Sequence, residues 1–197
     1  MMKKILLILS IVAYNNTGFS QSQHSGWLAT FNTFKTGKHT SIHNDIQWRS
    51  ADEFSGTQSY LIRAGLNVAL KKNLIVTAGY AYVSNRRTIQ QASALLPEHR
   101  IWQQVILNHE INKRIFTAHR FRLEQRFLSV AELRNNEVVK TDHELAHRAR
   151  YFIRNILPIK KTGQFTEGAF VALQNEVFLN IGSKSAVNGK TFDQNRL

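Results

Sequence analysis

The chain has 197 residues, with 26 Lys and Arg against 13 Asp and Glu, and a formal net charge of +13. It contains no Cys, which excludes a disulfide framework, a thiolate nucleophile and a Cys-ligated metal centre. Hydrophobic residues make up 43% of the chain, enough for one domain with a substantial core. The basic charge suggests an anionic partner, but its meaning depends on where the charges lie.

The first 20 residues have the form of a secretory signal peptide. Lys3 and Lys4 precede an apolar run over residues 5–13, and a short polar segment follows that ends at Ser20. The apolar run is about half as long as a membrane-spanning helix requires. We therefore predict a signal peptide over residues 1–20 and a mature domain over residues 21–197. Export of a chain without Cys favours a bacterial envelope.

Apolar and polar residues alternate with period two through the rest of the chain, in segments of about ten residues. In the clearest case, residues 60–70, every even position is apolar, whereas Arg63, Gly65 and Asn67 share the opposite face. Eight segments of this kind are predicted as strands: residues 27–34, 39–49, 60–70, 74–83, 101–111, 115–128, 145–157 and 171–181.

The connections between these segments alternate between short and long. Three short ones, at residues 36–38, 71–73 and 112–114, predict hairpins and therefore an antiparallel meander. Residues 85–98 and 129–142 are predicted as long loops, the first with room for a short helix over residues 89–96. If the N-terminus is periplasmic, the long loops lie on the periplasmic side, which is the reverse of the usual arrangement.

The length and continuity of the apolar faces favour a membrane barrel over a soluble sandwich. In hydrocarbon, a strand needs about 9 to 11 residues with a clean apolar face, and every backbone group must be paired within the protein. Several segments meet this requirement, and aromatic residues such as Trp48, Tyr60 and Phe127 lie near strand ends, as in interfacial girdles. The predicted fold is all-β, an antiparallel up-and-down transmembrane β-barrel with about eight strands.

Charged residues occupy the face opposite the apolar one on several segments. The predicted lumen-facing cluster consists of Arg63, Arg120, Arg122, Glu124, Arg126, Arg148, Arg150, Arg154 and Glu176. A salt-bridge ladder that fills a narrow barrel is one interpretation, because about eight strands leave space only for their own side chains. A ring that attracts anions is the other, and it requires an open lumen.

Three sequence features could instead indicate an enzymatic or nucleic-acid-binding function. Residues 143–147 match the zincin pattern H-E-x-x-H, but the two His ligands converge only on a helix, and the alternation that follows indicates a strand. A lipid hydrolase of the outer membrane would use His119 as base and Ser59 or Ser129 as nucleophile. Alternation places arginines and aromatic side chains on opposite faces, which disfavours a nucleic-acid stacking platform.

Five segments carry a family resemblance that spans the mature chain from Trp27. They are residues 97–104 (PEHRIWQQ), 119–127 (HRFRLEQRF), 148–158 (RARYFIRNILP), 175–178 (NEVF) and 192–197 (FDQNRL). Together they resemble an uncharacterised family of Gram-negative outer-membrane β-barrel proteins, a domain of unknown function. The resemblance implies a barrel of about ten strands, so the chain is predicted to be incomplete at its C-terminus, with an unpaired edge.

The predicted function is that of an outer-membrane β-barrel protein with an arginine-rich polar lumen and a structural or small-solute pore role. Its alternatives are a lipid-modifying hydrolase of the same membrane and a soluble periplasmic binding barrel. No catalytic residue, metal site or cofactor is predicted. The expected partners are outer-membrane lipid, the barrel-assembly machinery and a small anionic solute, and nucleic acid is not expected.

Overall fold

The computed structural model describes residues 25–51, 54–111, 114–159 and 167–197, and within them the chain forms one antiparallel sheet. The nine strands are β1 (Trp27–Lys35), β2 (Thr40–Ser50), β3 (Thr57–Lys71), β4 (Leu74–Ile89), β5 (Ala92–Ile111), β6 (Ile115–Arg134), β7 (Glu137–Pro158), β8 (Phe170–Ile181) and β9 (Phe192–Arg196). Each strand pairs with its neighbour in sequence. No helix in the described part of the chain is long and apolar enough to cross a membrane.

The predicted all-β antiparallel meander is confirmed, and each of the eight predicted segments lies within or overlaps one strand. The strand count and the closed barrel are corrected. A ninth strand, β9, lies outside the predicted segments, since Phe192 is its only large apolar residue and no alternation marks it. No ladder joins β1 to β9 among the described residues, so the sheet is not closed. The predicted signal peptide lies outside the described residues.

The two predicted long loops are instead extensions of hairpins. Ile89 pairs with Ala92, so the predicted helix over residues 89–96 is wrong and a tight turn joins β4 to β5. The β6–β7 ladder likewise continues to the pair Arg134 and Glu137. Its two turn residues have φ values of 50° and 63°, as a type I′ hairpin turn requires. These extensions carry polar residues on both faces, which hid their strand character.

Register assigns every side chain to one of two faces, since residues directly opposite each other project to the same side. Asp45 pairs with Arg63, Arg63 with Ala81, and Ala81 with Arg100. We call this the concave face, because a single cavity is lined by residues of this face from β2 through β9. The opposite, convex face is apolar, and many of its large side chains are exposed: Leu66 is 50% exposed and Leu173 is 68% exposed.

A buried tryptophan fills the concave side of the sheet at one level. Trp102 on β5 is 1% exposed and lies over Gly65 on β3 and Gly79 on β4. A Cβ atom at Gly79 would lie 2.6 Å from the Trp102 ring and 2.2 Å from the backbone oxygen of Ala64. Glycine is therefore required for the indole to lie flat on the strands, and the indole in turn fills the curve of the sheet at this level.

We expect Gly79→Ala to lower the free energy of unfolding by about 2–3 kcal/mol, because the added methyl has backbone on one side and a buried indole on the other. Urea-induced unfolding in detergent micelles, followed by tryptophan fluorescence, measures the change. Ala78→Val is the control: it adds bulk to the adjacent residue on the exposed convex face and should change stability by less than about 0.5 kcal/mol. Equal effects of the two substitutions would contradict the packing described here.

Candidate anion-binding site

A buried carboxylate on β5 binds two arginines. Arg100 donates to Glu98 through Nε at 2.6 Å and Nη2 at 2.9 Å. Arg126, on β6, donates to the same carboxylate through Nε at 2.6 Å and Nη2 at 3.2 Å. The Glu98 side chain is 3% exposed, so water screens this cluster little. One negative charge thus serves two guanidinium groups.

The next cluster spans β6, β7 and β8. Arg148 donates to Glu124 at 2.9 and 2.6 Å, and Arg150 bridges Glu124 at 2.8 Å and Glu176 at 2.8 Å. Arg120 donates to Glu176 at 2.9 Å. Three arginines therefore share two carboxylates, and Arg150 links them across neighbouring strands.

Two further arginines join the network near Trp102. Arg63 binds Asp45, which is 0% exposed, through Nε at 2.7 Å and through Nη2. Arg122 donates to the side-chain oxygen of Gln104 at 3.1 and 2.7 Å and lies 3.8 Å from Glu124. We call these seven arginines (Arg63, Arg100, Arg120, Arg122, Arg126, Arg148 and Arg150) and four carboxylates (Asp45, Glu98, Glu124 and Glu176) the arginine network.

Aromatic rings hold several of the guanidinium groups in place. The Phe178 ring, 1% exposed, has Arg150 at 4.5 Å, Arg196 at 4.9 Å and Arg148 at 5.4 Å from its centroid. Trp102 similarly contacts Arg122 at 4.8 Å and Arg63 at 5.6 Å. These cation–π contacts fix the planes of the guanidinium groups and raise the density of positive charge on the concave face.

A cavity of about 310 Å³ opens over the network, and we call it the arginine cavity. Among the described residues, no carboxylate lines it. The lining contains seven arginines: Arg49, Arg63, Arg100, Arg126, Arg148, Arg150 and Arg196. The other lining residues are Gln47, Ser59, Leu61, Val83, Asn85 and Phe178. Because the carboxylates bind the guanidinium groups from outside the lining, the surface that faces the cavity is positive and rich in N–H donors. Such a surface attracts anions.

Two of the lining arginines have no ion pair within the described part of the chain. Arg49, on β2, stacks on the Trp27 ring at 5.1 Å, and Arg196, on β9, donates to the side chain of Gln194 at 3.3 Å. Their charges repel each other, and both side chains also line a neighbouring cavity of about 500 Å³ that contains Trp27, Phe152 and Gln174. Arg49 and Arg196 are therefore the cations most available to an external anion.

All nine charged residues proposed for the lumen lie on the concave face. The residues that ion pairs bring together are Arg63, Arg120, Arg122, Glu124, Arg126, Arg148, Arg150 and Glu176. Arg154 shares the face but forms no ion pair with a described residue, and its Nε is buried without a partner. Whether this face encloses a lumen remains a prediction.

The predicted lumen-facing cluster omits five residues of the site: Arg49, Asp45, Glu98, Arg100 and Arg196. The alternation that identified the other residues also includes Arg49 and Asp45, which share a face on β2. Glu98 and Arg100 were missed because the segment was taken to start at Ile101, whereas β5 starts at Ala92. Arg196 lies on the unpredicted strand β9.

The structure does not bring the alternative catalytic residues together. His143 and His147 lie on strand β7, as the alternation predicted, so they do not have the helical spacing of a zincin. His119 hydrogen-bonds Tyr151 at 2.8 Å, while Ser129 donates to the backbone oxygen of Pro97 and Ser59 lines the arginine cavity. In the described part of the chain, no group of three or more His, Asp or Glu is placed to hold a metal ion.

The family model of a protein of unknown function, DUF2490, matches residues 24–197. The chain belongs to this family. No curated protein and no solved structure matches it. Membership in DUF2490 confirms that the chain belongs to an uncharacterised family. The outer-membrane barrel and the incomplete C-terminus implied by the resemblance stay predictions.

We expect Glu124→Gln to lower the free energy of unfolding by about 3–5 kcal/mol, since it leaves Arg148 and Arg150 short of a buried counter-charge. Glu132→Gln makes the same chemical change in the exposed pair with Arg134 and should cost less than about 1 kcal/mol. Urea unfolding midpoints of the two variants give the comparison. A Glu124→Gln variant as stable as Glu132→Gln would show that the charge of Glu124 does not stabilise the fold.

Proposed function

We propose that this chain is an outer-membrane β-sheet protein that binds a small anionic solute on its concave face. The observation that carries the second half of the proposal is the arginine cavity, whose lining holds seven arginines and no carboxylate. The first half rests on the convex face. Neither half involves a catalytic step.

The convex face has the length and composition that a bilayer requires. From Tyr60 to Leu70, every convex residue of β3 is apolar. Eleven residues span about 33 Å along the strand, or about 25 Å after a tilt of about 40°, which is the height of the apolar band of outer-membrane barrels. Apart from Lys71, which is opposite Leu74 beside the β3–β4 turn, the convex positions of β1 to β8 below the hairpin extensions hold no Lys, Arg, Asp or Glu.

Several of the polar side chains that interrupt this face are hydrogen-bonded to one another. Gln103 and Gln125 are diagonal neighbours on β5 and β6, and each amide donates to the other, at 3.1 and 3.2 Å. Thr117 donates to Asn155 at 2.8 Å, again across a strand pair. Mutual hydrogen bonding lowers the cost of placing these groups against hydrocarbon, because few donors and acceptors remain unpaired.

Aromatic side chains form a row along one border of the apolar face. Trp48 pairs with Tyr60, and Tyr82 pairs with His99, which pairs with Phe127. The two hairpin extensions begin just beyond this row. Aromatic girdles at the membrane–water interface have this position relative to the apolar band, and polar hairpins that extend past a girdle lie in water.

Residence in a bilayer also requires that the wall be closed. The free edge of β1 and the short ladder of β9, with only four registered pairs, leave backbone groups unpaired. In hydrocarbon each unpaired group costs several kcal/mol, so pairing of these edges is part of the proposal. A barrel closed in this way would enclose the arginine cavity.

Side chains fill the concave face at the level of Trp102. A protein that binds an anion without conducting it explains this filling better than an open pore does. The buried Trp102 lies on glycines of two other strands, and Gln104 and Arg122 pack beside it. This layer occupies the level next to the arginine cavity and narrows the path along the axis. A pocket open at one end would hold an anion without passing it across the membrane.

Leu66→Arg tests the membrane location, since a charge in the middle of the apolar face costs about 2–4 kcal/mol in a bilayer. We expect the wild-type chain in the outer-membrane fraction, resistant to salt and released by detergent, and the variant lost from that fraction. Thr88→Arg, on an exposed hairpin extension, is the matched control and should leave the yield unchanged. Recovery of the wild-type chain in the soluble periplasmic fraction would refute the membrane proposal.

Planar-bilayer recording separates a binding pocket from a pore. We expect the purified protein to give no lasting conductance steps, because Trp102, Gln104 and Arg122 narrow the path, and to be stabilised against thermal unfolding by sulfate at constant ionic strength. Stable, anion-selective steps would instead favour the small-solute pore. Absence of both conductance and stabilisation would leave the structural role of the arginine network alone.

A further inference from the structure

We infer that the arginine cavity is built for a multiply charged phosphoryl group, of the pyrophosphate or phosphate-monoester class, with Arg49 and Arg196 as its principal ligands. This inference rests on the proposed function and specifies the anion. Three features of the site support it: the two unpaired arginines, the aromatic rings that orient them, and the charge balance around them.

The two unpaired arginines lie on strands near opposite ends of the strand order. Arg49 comes from β2 and Arg196 from β9, and both line the arginine cavity and its neighbour. In the described part of the chain neither forms an ion pair with a side-chain carboxylate, although Glu176 is directly opposite Arg196 and lines the neighbouring cavity, whereas Arg63, Arg100, Arg126, Arg148 and Arg150 each form one. An anion that bridges Arg49 and Arg196 would supply the missing counter-charge and remove their mutual repulsion.

Stacking leaves the donors of these two side chains available. The guanidinium of Arg49 lies over Trp27 and that of Arg196 lies over Phe178. A guanidinium bound by its face keeps its N–H groups free in its own plane, where they match the oxygen edge of a phosphoryl group in bidentate geometry. The rings thus restrict the side chains before a ligand arrives, which reduces the entropy lost on binding.

The charge balance favours more than one negative charge on the ligand. The seven arginines of the network and the two unpaired ones face Asp45, Glu98, Glu124 and Glu176, with Asp193 at 3.6 Å from Arg148. Positive charge therefore exceeds negative charge by four among these groups. A monocarboxylate would neutralise one of the four, while pyrophosphate or a phosphate ester neutralises two or more.

The available volume suits a compact ligand of this class. At about 310 Å³ the cavity is several times larger than the ~30 Å³ share of one water molecule, so it accepts a group of several non-hydrogen atoms. The polar lining residues Gln47, Ser59 and Asn85 add hydrogen-bonding groups without adding charge.

The test is isothermal titration calorimetry of the full chain in neutral detergent, with sodium pyrophosphate, sodium phosphate and sodium acetate at equal ionic strength. We expect pyrophosphate to bind at least about tenfold more tightly than acetate. Arg49→Gln combined with Arg196→Gln should weaken pyrophosphate binding by about 30-fold or more, the loss of two charge-assisted hydrogen-bonding groups. Arg134→Gln, an exposed arginine on the β6–β7 hairpin, is the control and should bind as the wild type does.

The outcomes distinguish this inference from the proposed function. If acetate binds as tightly as pyrophosphate, anion binding stands and the phosphoryl assignment is overturned. If pyrophosphate binds but the double variant binds it equally well, the ligand does not lie between Arg49 and Arg196. If no anion binds the wild-type chain, the proposed function itself fails. Far-UV circular dichroism of the double variant confirms that its sheet is intact before any loss of binding is interpreted.

Discussion

The concave face has to accommodate many guanidinium groups that water barely reaches, and the arrangement of the strands reflects this constraint. Glu98, Glu124 and Asp45 are each at most 2% exposed, and each binds one or more arginines from neighbouring strands. An isolated buried charge would cost several kcal/mol, so pairing decides which registers are possible. A slip of one residue in any of these strands would move its charges onto the convex face.

Stability alone does not explain why such a network is present. Replacing a buried ion pair with apolar residues of similar volume is often neutral or stabilising, because desolvation offsets the attraction between the charges. An apolar filling around Trp102 and Phe178 would therefore hold the curved sheet as well. The excess of arginine over carboxylate lowers the stability of the fold, since the charges of Arg148, Arg150 and Arg196 repel one another. The proposed anionic ligand would offset this repulsion, which accounts for the excess of arginine.

Sequence reasoning recovered what period-two alternation encodes and missed what it does not. Residues such as Arg120, Arg122 and Glu124 fall on alternate positions of one long strand, so their common face follows from strand geometry. The hairpin extensions were not predicted because polar residues occur on both of their faces, so no regular alternation marks them. The ion-pair partners could not be predicted from the sequence either, because Arg150 contacts Glu176 only through the β7–β8 register. No alternation marks Arg196, because its strand has five residues and one large apolar side chain.

In the proposed function, the positions of Arg49 and Arg196 would couple anion binding to the shape of the sheet. Each belongs to a strand at or next to an end of the strand order, β2 and β9, and they share one cavity only because the sheet curves. Without a counter-ion, their repulsion favours a flatter sheet in which the two ends separate. An anion bound between them would replace this repulsion with attraction to the ligand. Any ligand that binds only the curved form stabilises that form by mass action. In the proposed function, the charges that bind the anion would therefore oppose closure of the sheet until the anion is bound.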